Sequence, residues 1–355
     1  MRAAVLRTHG EPLEIENVER PAPAPHGVVV AVEACGICRS DWHAWQGHGE
    51  WVGDRVPSGQ ILGHEPAGRA VAVGDRVRTV TEGDRVAVPF NLGDGTCPQC
   101  LCGHGNVCEN GLALGFQPEA HGAFAETVHV PHADYNAMHL PDGVAARDMA
   151  ALGCRFMTAF HALTARGDVG GGDWVAVHGC GGVGLSAVHV ADALGARVVA
   201  VDIRDEALDL AATLGADAVV SADGRSGREV TGEVRAVSDG GAHVSVDALG
   251  VAETCRNSVF SLRRRGTHLQ VGLTTDDERG EVSVPVERLA MMEAEFKGVR
   301  GMPPTRYDEL LGLLESGSID PGRLVSREVC LDDVPDRLVA MTDYETTGVE
   351  VVTEF

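Results

Sequence analysis

At the centre of the chain stands Trp174-Val175-Ala176-Val177-His178-Gly179-Cys180-Gly181-Gly182-Val183-Gly184, an apolar run joined directly to a glycine-rich turn. The apolar run is typical of a buried strand, and the residues that follow from Leu185 are typical of a helix. Because 45 glycines produce accidental triads, the flanking strand and helix carry the argument. The stretch therefore predicts the first strand, turn and helix of a dinucleotide-binding fold.

Each glycine of this turn has its own expected task. Gly179 permits the tight turn, Gly181 lets a pyrophosphate approach the backbone, and Gly184 lets helix and strand pack closely. The first helical turn, with Gly182 and Val183, supplies backbone donors and positive potential. The alternative interpretation is a glycine-rich turn without a ligand.

Further apolar runs alternate with helical segments after this turn. They lie at residues 197–201, 218–221, 243–248, 267–273 and 296–300. Fully apolar strands separated by helices are typical of a parallel sheet that is covered on both faces. We therefore predict a doubly wound α/β domain that begins at about residue 170.

The remainder of the chain has a different pattern. Short strands at 28–32, 69–73 and 85–88 are broken by glycine and proline, which predicts a small β-rich domain in residues 1 to about 90. Residues 301–355 contain two helical segments and two strands, and we expect them to return to that domain. A chain of 355 residues is long enough for two such cores.

The residue after the second strand of the α/β domain predicts the choice of cofactor. Asp202 lies 23 residues after Gly179, where a carboxylate accepts hydrogen bonds from ribose hydroxyls and repels a 2′-phosphate. NAD is therefore favoured over NADP, although Arg204 could soften the preference. Asp202 could instead be the N-cap of a helix that begins near Asp205.

Three short motifs contain residue types that zinc commonly binds. They are Cys35-Gly36-Ile37-Cys38-Arg39-Ser40-Asp41-Trp42-His43, Gly63-His64-Glu65 and Gly153-Cys154. A catalytic zinc needs three protein ligands and an open position, which two thiolates and one imidazole provide. Each motif alone is weak evidence, because a single cysteine is more often a small buried hydrophobe.

Together with the glycine turn, these motifs resemble the zinc-dependent medium-chain alcohol dehydrogenases. The resemblance continues through Gly83-Asp84-Arg85-Val86, Gly122-Ala123-Phe124-Ala125-Glu126, Thr158, Asp247-Ala248 and Val271-Gly272-Leu273. It implies a GroES-like catalytic domain that binds zinc at 1–155 and 301–355, and a Rossmann NAD-binding domain at 156–300. The implied reaction transfers a hydride from an alcohol to NAD, giving an aldehyde or ketone.

The resemblance also assigns roles to individual residues. Cys38, His64 and Cys154 would hold the catalytic zinc, and Glu65 would be a transient ligand beside it. Ser40 would contact the substrate hydroxyl and His43 would be the base on the solvent side, although His43 could be a surface histidine. Arg39 would bind the pyrophosphate of the cofactor, and Asp41 would accept the hydrogen on the ring nitrogen of His64 that faces away from the zinc. Backbone groups near Val271, Leu273 and Val299 would hold the nicotinamide. Cys35 would be part of the core.

A second cysteine cluster lies at Cys97-Pro98-Gln99-Cys100-Leu101-Cys102-Gly103-His104-Gly105-Asn106-Val107-Cys108. Four closely placed thiolates form a closed structural zinc site, so we predict Cys97, Cys100, Cys102 and Cys108 as ligands. The relatives separate their ligands by two, two and seven residues, whereas these four are separated by two, one and five. The loop would then be shortened, with His104 as a substitute ligand or with no metal bound.

Composition limits the partners and the compartment. A formal charge of −23 disfavours nucleic acid and anionic membranes. Ten clustered cysteines and no apolar stretch of signal or membrane length predict a cytoplasmic, metal-binding chain. The expected partner is a small alcohol or aldehyde, and we expect a homo-oligomer.

Several rival functions remain for a chain of this kind. Polyol dehydrogenases of the fold commonly have Glu where this chain has Cys154, zinc-free quinone reductases lack the ligands, and a non-catalytic NAD- or zinc-binding scaffold needs no proton relay. Trp42, Trp45 and Trp51 cluster around the first ligand in the sequence, and His43-Ala44-Trp45 resembles the microbial enzymes with narrow pockets for short primary alcohols. Packing of the core explains the tryptophans equally well.

Overall fold

The computed structural model describes residues 1–49, 55–275, 277–343 and 345–355, so the predicted pocket residue Trp51 lies outside the described residues. The chain divides into two compact units. One unit combines Met1–Met157 with Gly301–Phe355, and the other is Thr158–Arg300.

The secondary structure comprises strands, α-helices and short turns of tighter or wider helix. The strands are β1 (Arg2–Leu6), β2 (Glu14–Asn17), β3 (Val28–Ile37), β4 (Gln60–Ile61), β5 (Glu65–Val73), β6 (Arg85–Ala87), β7 (Asn91–Leu92), β8 (Leu112–Ala113), β9 (Thr127–Val130), β10 (Met138–His139), β11 (Trp174–His178), β12 (Arg197–Asp202), β13 (Ala218–Ser221), β14 (Ala242–Asp247), β15 (Leu262–Gln270), β16 (Glu295–Gly298), β17 (Val325–Cys330) and β18 (Val349–Glu354). The α-helices are α1 (Arg39–Gln46), α2 (Pro98–Leu101), α3 (Ala133–Asn136), α4 (Ala146–Ala151), α5 (Cys154–His161), α6 (Gly182–Ala193), α7 (Asp205–Thr213), α8 (Gly227–Val237), α9 (Ala252–Ser261), α10 (Val286–Met292), α11 (Tyr307–Glu315) and α12 (Val334–Thr342). A π-helical turn, Ala162–Arg166, continues α5, and 3₁₀ turns lie at Gly105–Val107, Pro304–Arg306, Pro321–Leu324 and Leu331–Asp333.

The first unit is rich in β-structure, as predicted. Its largest sheet has the strand order β10-β6-β5-β3-β18-β17, and β9 also pairs with β3. The last strand, β18, pairs antiparallel with β3, so the end of the chain joins the sheet formed by its beginning. Alternating valines and alanines of β3, including Val28, Val30 and Val32, pack into the core of this unit.

The second unit contains the predicted parallel sheet. Its six strands have the order β13-β12-β11-β14-β15-β16, and every neighbouring pair is parallel. In chain order this is 3-2-1-4-5-6, the arrangement of two mononucleotide-binding halves. Their meeting point lies between β11 and β14, and the glycine-rich turn follows β11.

The observed bounds of β15 differ from those predicted. The strand begins at Leu262 and ends at Gln270, whereas the apolar run indicated 267–273. A register shift against β14, between Ala242 and Val244, admits the charged residues 263–265 into the strand. An irregular pairing of this kind leaves no periodic signal in the sequence.

Among the described residues, no helix has the length and apolar character needed to cross a membrane.

Candidate metal centres and cofactor site

The structure brings together the three residues predicted to bind the catalytic zinc. Donor atoms of Cys38, His64, Glu65 and Cys154 all lie within 4.8 Å of one another, and all four residues are buried. Cys38 is the N-cap of α1, His64 directly precedes β5, and Cys154 is the first residue of α5. His64 and Cys154 follow Cys38 by 26 and 116 residues along the chain. The three residues meet because the end of β3 and the starts of β5 and α5 lie close together.

Asp41 fixes the orientation of the His64 ring. The distance from its Oδ1 to His64 Nδ1 is 2.9 Å, and both side chains are fully buried. Asp41 also accepts the backbone N–H groups of Gly63 and Cys38, both at 3.0 Å, so its carboxylate is held by three donors. A carboxylate that accepts the Nδ1 hydrogen leaves a lone pair on Nε2.

The Nε2 atom of His64 indicates what the site binds. It is buried and has no hydrogen-bond partner among the described residues. Leaving such an atom unsatisfied costs about 1–3 kcal/mol. A zinc ion in the group of donors would satisfy it, so the residues present fit this metal.

The two thiols of the site are close enough to share a proton. A hydrogen bond with Cys154 lowers the pKa of Cys38 well below its ordinary value, against the effect of burial. The same hydrogen bond, aided by burial, raises the pKa of Cys154. A sulfur pair that shares one proton has the separation needed to share one cation.

Glu65 is paired with an arginine that the sequence analysis missed. The Nη2 atom of Arg155 lies 2.5 Å from Glu65 Oε2, and its Nε and backbone N atoms both lie 3.3 Å from Oε1. Burial raises the pKa of Glu65 to about 7, although the Arg155 guanidinium acts to lower it. The pair leaves no room beside it, because a Cβ on Gly36 would lie 2.2 Å from Glu65 Oε2.

The proposed proton path begins beside the first ligand. The Sγ atom of Cys38 lies 3.8 Å from Ser40 Oγ, on the first turn of α1. His43 lies on the last turn of this helix and is half-buried. Its Nδ1 atom lies 3.0 Å from Nδ1 of His48, a residue that the sequence analysis did not single out.

Arg39 is engaged by α12 in this structure. Its guanidinium stacks on Trp42, 3.6 Å from the ring centroid, and donates a hydrogen bond to the carbonyl of Met341. Trp42 in turn donates to Thr342 Oγ1 at 2.9 Å. The assignment of Arg39 to a pyrophosphate stays a prediction.

The structure corrects the predicted ligand set of the second metal site. Donor atoms of Asp94, Cys97, Cys100 and Cys108 lie within 4.8 Å of one another, and Cys102 is not in this group. Cys102 and the alternative ligand His104 are both exposed. Positions 100 and 102 are two residues apart at the end of α2, and side chains at this helical spacing point in nearly opposite directions.

The fourth donor, Asp94, restores the usual spacing. Asp94, Cys97, Cys100 and Cys108 are separated by two, two and seven residues, so the loop is not shortened. Counting from the first cysteine hid this register, whereas counting back three residues from Cys97 would have found it. The pKa of Asp94 is lowered because it accepts hydrogen bonds from Asn110 and from the backbone of Cys97 and Thr96.

The glycine turn has the geometry expected of a pyrophosphate cradle. Gly179 has a φ of +92°, and a Cβ on Gly184 would lie 1.8 Å from the carbonyl oxygen of Gly179. A Cβ on Gly181 would meet nothing within 4 Å, so the backbone there faces open space. Gly182 and Val183 form the first turn of α6, whose leading N–H groups have no partner within the helix.

Asp202 contacts this turn at the carboxyl end of β12. Its Oδ2 accepts the N–H of Cys180 at 2.6 Å, and its Oδ1 accepts the N–H of Arg204 at 2.9 Å. Arg204, not Asp202, occupies the N-cap of α7, and its Nε lies 4.0 Å from Asp202 Oδ1. Each carboxylate oxygen keeps a second lone pair, so a ribose hydroxyl could still donate to it.

The residues assigned to the nicotinamide follow neighbouring strands. Val271 directly follows β15, and Val299 directly follows β16. The N–H of Val271 donates to Asp247 at 3.1 Å and that of Val299 to Gln270 at 3.0 Å, so their carbonyl groups are the atoms available. Leu273, two residues further, is 60% exposed. In parallel sheets these carboxyl ends form the edge at which ligands bind.

Comparison with known proteins gives a consistent result. Residues 24–142 match the alcohol dehydrogenase GroES-like domain, and residues 182–316 match the zinc-binding dehydrogenase family. An alcohol dehydrogenase of Geobacillus stearothermophilus is 34% identical over 327 residues, 90% of each chain. An NAD-dependent alcohol dehydrogenase of Sulfurisphaera tokodaii is 30% identical over 99% of each chain. The solved structure of alcohol dehydrogenase TADH from Thermus sp. ATN1 is similar over 100% of both chains, with 30% identity and a TM-score of 0.90.

Proposed function

The chain belongs to the zinc-dependent medium-chain alcohol dehydrogenase family, and we propose that Cys38, His64 and Cys154 hold its catalytic zinc. It is an NAD-dependent enzyme that reversibly oxidises a primary or secondary alcohol to an aldehyde or ketone. The observation that supports this ligand set best is the buried Nε2 atom of His64, which lacks a hydrogen-bond partner among the described residues.

The side chains around the ligands then have separate tasks. When bound, zinc polarises the alcohol oxygen as a Lewis acid, and NAD accepts the hydride. Ser40 accepts the hydrogen bond of the substrate hydroxyl and passes its proton outward. His43 receives this proton at the far end of α1 as a general base. Glu65, which pairs with Arg155, is proposed as a transient ligand beside the three others, and Asp41 keeps the His64 ring in the orientation that presents Nε2.

The glycine turn and Asp202 select and hold the cofactor. The N-terminus of α6 provides backbone donors and a positive end for the pyrophosphate. Asp202 provides lone pairs for the adenosine ribose and repels a 2′-phosphate. Arg39, one residue after a proposed zinc ligand, is proposed to contact the pyrophosphate through its charge-assisted donors.

A second zinc ion is proposed for the group of Asp94, Cys97, Cys100 and Cys108. Its role is structural, because four protein donors leave no open position for a substrate. Three soft thiolates with one carboxylate form a donor set that zinc accepts in tetrahedral geometry. The short helix α2 and the hydrogen bonds that Asp94 accepts from the backbone N–H groups of Thr96 and Cys97 already hold the loop in shape.

The protein is also proposed to act in the cytoplasm as a homo-oligomer, a dimer or tetramer. Clustered thiols that bind metal suit a reducing compartment. The edge strand β16 and the preceding α10 expose the apolar side chains of Phe296, Met291 and Val286, by 36%, 78% and 62%. Light scattering of the purified protein at several concentrations would decide between monomer and oligomer.

The test of the proposed function uses purified zinc-loaded protein, NAD or NADP, and a panel of short, branched and cyclic alcohols. We expect NAD reduction with at least one alcohol, loss of that activity in Cys154→Ser, and no loss in the matched variant Cys102→Ser, which alters an exposed cysteine. A Cys154→Ser protein with wild-type activity would contradict the proposed site. Wild-type protein inactive with every alcohol would contradict the function.

A further inference from the structure

Two histidines meet at the carboxyl end of α1. Gly47, with a φ of +78°, ends the helix in the left-handed conformation and turns the chain back. The N–H of His48 consequently donates to the carbonyl of His43 at 2.9 Å. The same turn places Nδ1 of His48 3.0 Å from Nδ1 of His43.

A third aromatic ring restrains this pair. Trp42 packs edge-on against both imidazoles, with ring centroids 5.0 Å from His43 and 5.1 Å from His48. The two imidazole centroids lie 5.2 Å apart. The relative position of the rings is therefore set by packing as well as by their hydrogen bond.

The distance between the two nitrogens fixes what the pair can do with protons. Two ring nitrogens 3.0 Å apart form a hydrogen bond only if one of them carries a hydrogen and the other does not. Within this hydrogen bond, the tautomer of one ring therefore has to match that of the other. The pair can take up one proton at one end and release another at the opposite end without rotation of either ring.

We infer that His48 is the proton carrier that follows His43 in the path to solvent, an inference that rests on the proposed alcohol oxidation. His43 takes a proton at Nε2 and passes its Nδ1 hydrogen to Nδ1 of His48. His48 then releases its Nε2 hydrogen to water or buffer. One proton enters, one proton leaves, and no bond other than N–H is made or broken. His48 is half-buried, as the outer member of such a path should be.

The charged and titratable neighbours provide a matched control. His9 packs against the same turn, since a Cβ on Gly47 would lie 3.0 Å from its ring. Its Nε2 hydrogen-bonds the carbonyl of Val56 at 2.9 Å instead of the pair. On the other side of the helix start, the Arg39 guanidinium stacks on Trp42 and Asp41 bonds to His64. Changes at His9 therefore perturb the turn without altering the His43–His48 hydrogen bond.

The test compares His48→Asn with His48→Ala in single-turnover alcohol oxidation, with proton release followed by a pH indicator. Asn keeps a hydrogen-bond acceptor near the position of Nδ1 but cannot carry a proton, whereas Ala removes both properties. In both variants we expect proton release near pH 7 to be slower by about tenfold, the low end of what a general base contributes. This loss in the rate of proton release should shrink as pH rises. Added imidazole should restore the rate in His48→Ala, and the rate in His9→Asn should equal that of the wild type.

A second readout does not depend on activity. In isotope-labelled wild-type protein, NMR should detect a scalar coupling between Nδ1 of His43 and Nδ1 of His48 across their hydrogen bond, and this coupling should vanish in His48→Asn. Absence of the coupling in the wild type would overturn the inference. So would wild-type proton release in His48→Asn together with slow release in His48→Ala, because His48 would then only orient His43. Absence of NAD reduction in wild-type protein would refute the proposed function itself. Normal NAD reduction, together with unchanged proton release in both His48 variants, would refute only the role of His48 in the proton path.

Discussion

The ion pair beside the proposed zinc ligands gives the most quantitative prediction. The side chains of Arg155 and Glu65 are 5% and 0% exposed. Arg155→Met removes two charge-assisted hydrogen bonds, each worth about 1.5–3 kcal/mol, while the carboxylate stays buried. Breaking one side of a buried ion pair costs about 3–5 kcal/mol, so we expect the free energy of unfolding to fall by this amount.

The loss should depend on pH in a defined direction. In the wild type, burial raises the pKa of Glu65 to about 7 from an ordinary value of 4.5. An acid whose pKa is raised by folding destabilises the fold as pH rises from the unfolded value to the folded one. Removal of Arg155 raises the pKa of Glu65 in the folded protein further. The free energy of unfolding of the variant therefore continues to fall above pH 7, whereas that of the wild type no longer falls. The difference between them should grow by about 1.4 kcal/mol per pH unit in that range.

A double-mutant cycle with Glu65→Gln isolates the pair. Urea unfolding at pH 6.5 and 8.5 would be followed for all four proteins, with zinc content measured in each. We expect a coupling energy of about 3 kcal/mol or more at pH 8.5, and partial recovery in Arg155→Lys, which keeps the charge but loses the planar fork. A coupling energy below about 1 kcal/mol, the range of exposed pairs, would refute the reasoning.

The remaining predictions concern the second metal site, the cofactor and the proton path. Metal analysis after dialysis against a chelator should find two zinc ions per chain in the wild type and in Cys102→Ser but fewer in Asp94→Ala; the reverse order would restore the four-cysteine set. Asp202→Gly should weaken the use of NAD by at least about tenfold and improve that of NADP, because it removes hydrogen bonds to a charged acceptor together with a repulsive charge. Wild-type protein that already prefers NADP would contradict this. His43→Gln should slow alcohol oxidation near pH 7 by about tenfold, with zinc content unchanged, and a rate equal to wild type at all pH values would exclude the base.

The fold could be predicted from local patterns because several strands of the parallel sheet, including β11, β12 and β13, are predominantly apolar. The run Trp174–His178 and the helix Tyr307–Glu315 have the bounds that the sequence indicates. The strand bounds were predicted less accurately where pairing with a neighbouring strand places charged residues in a strand. Three arginines, at 263–265, belong to β15 because a register shift accommodates them, and no propensity of arginine favours this.

The metal sites show a different limit of sequence reasoning. Cys38, His64 and Cys154 could be named because a family motif surrounds each of them. Cys102 was included because residue type was counted before geometry, although a helical spacing of two residues separates its side chain from that of Cys100. A carboxylate at Asp94 carries no such signal by itself, because acidic residues are common in a chain with 52 of them.

Arg155 and Glu350 together show how buried charge is balanced around the proposed zinc site. Glu350 lies on the last strand, β18, and is 4% exposed. Arg337 pairs with Glu350 through two hydrogen bonds of 2.7 Å, and Arg155 pairs separately with Glu65. Glu65 and Glu350 are thus each neutralised by a guanidinium, and both guanidinium groups are occupied by these ion pairs. Replacing Glu350 by arginine alone would therefore leave Arg337 without its carboxylate partner and place a second positive charge beside it.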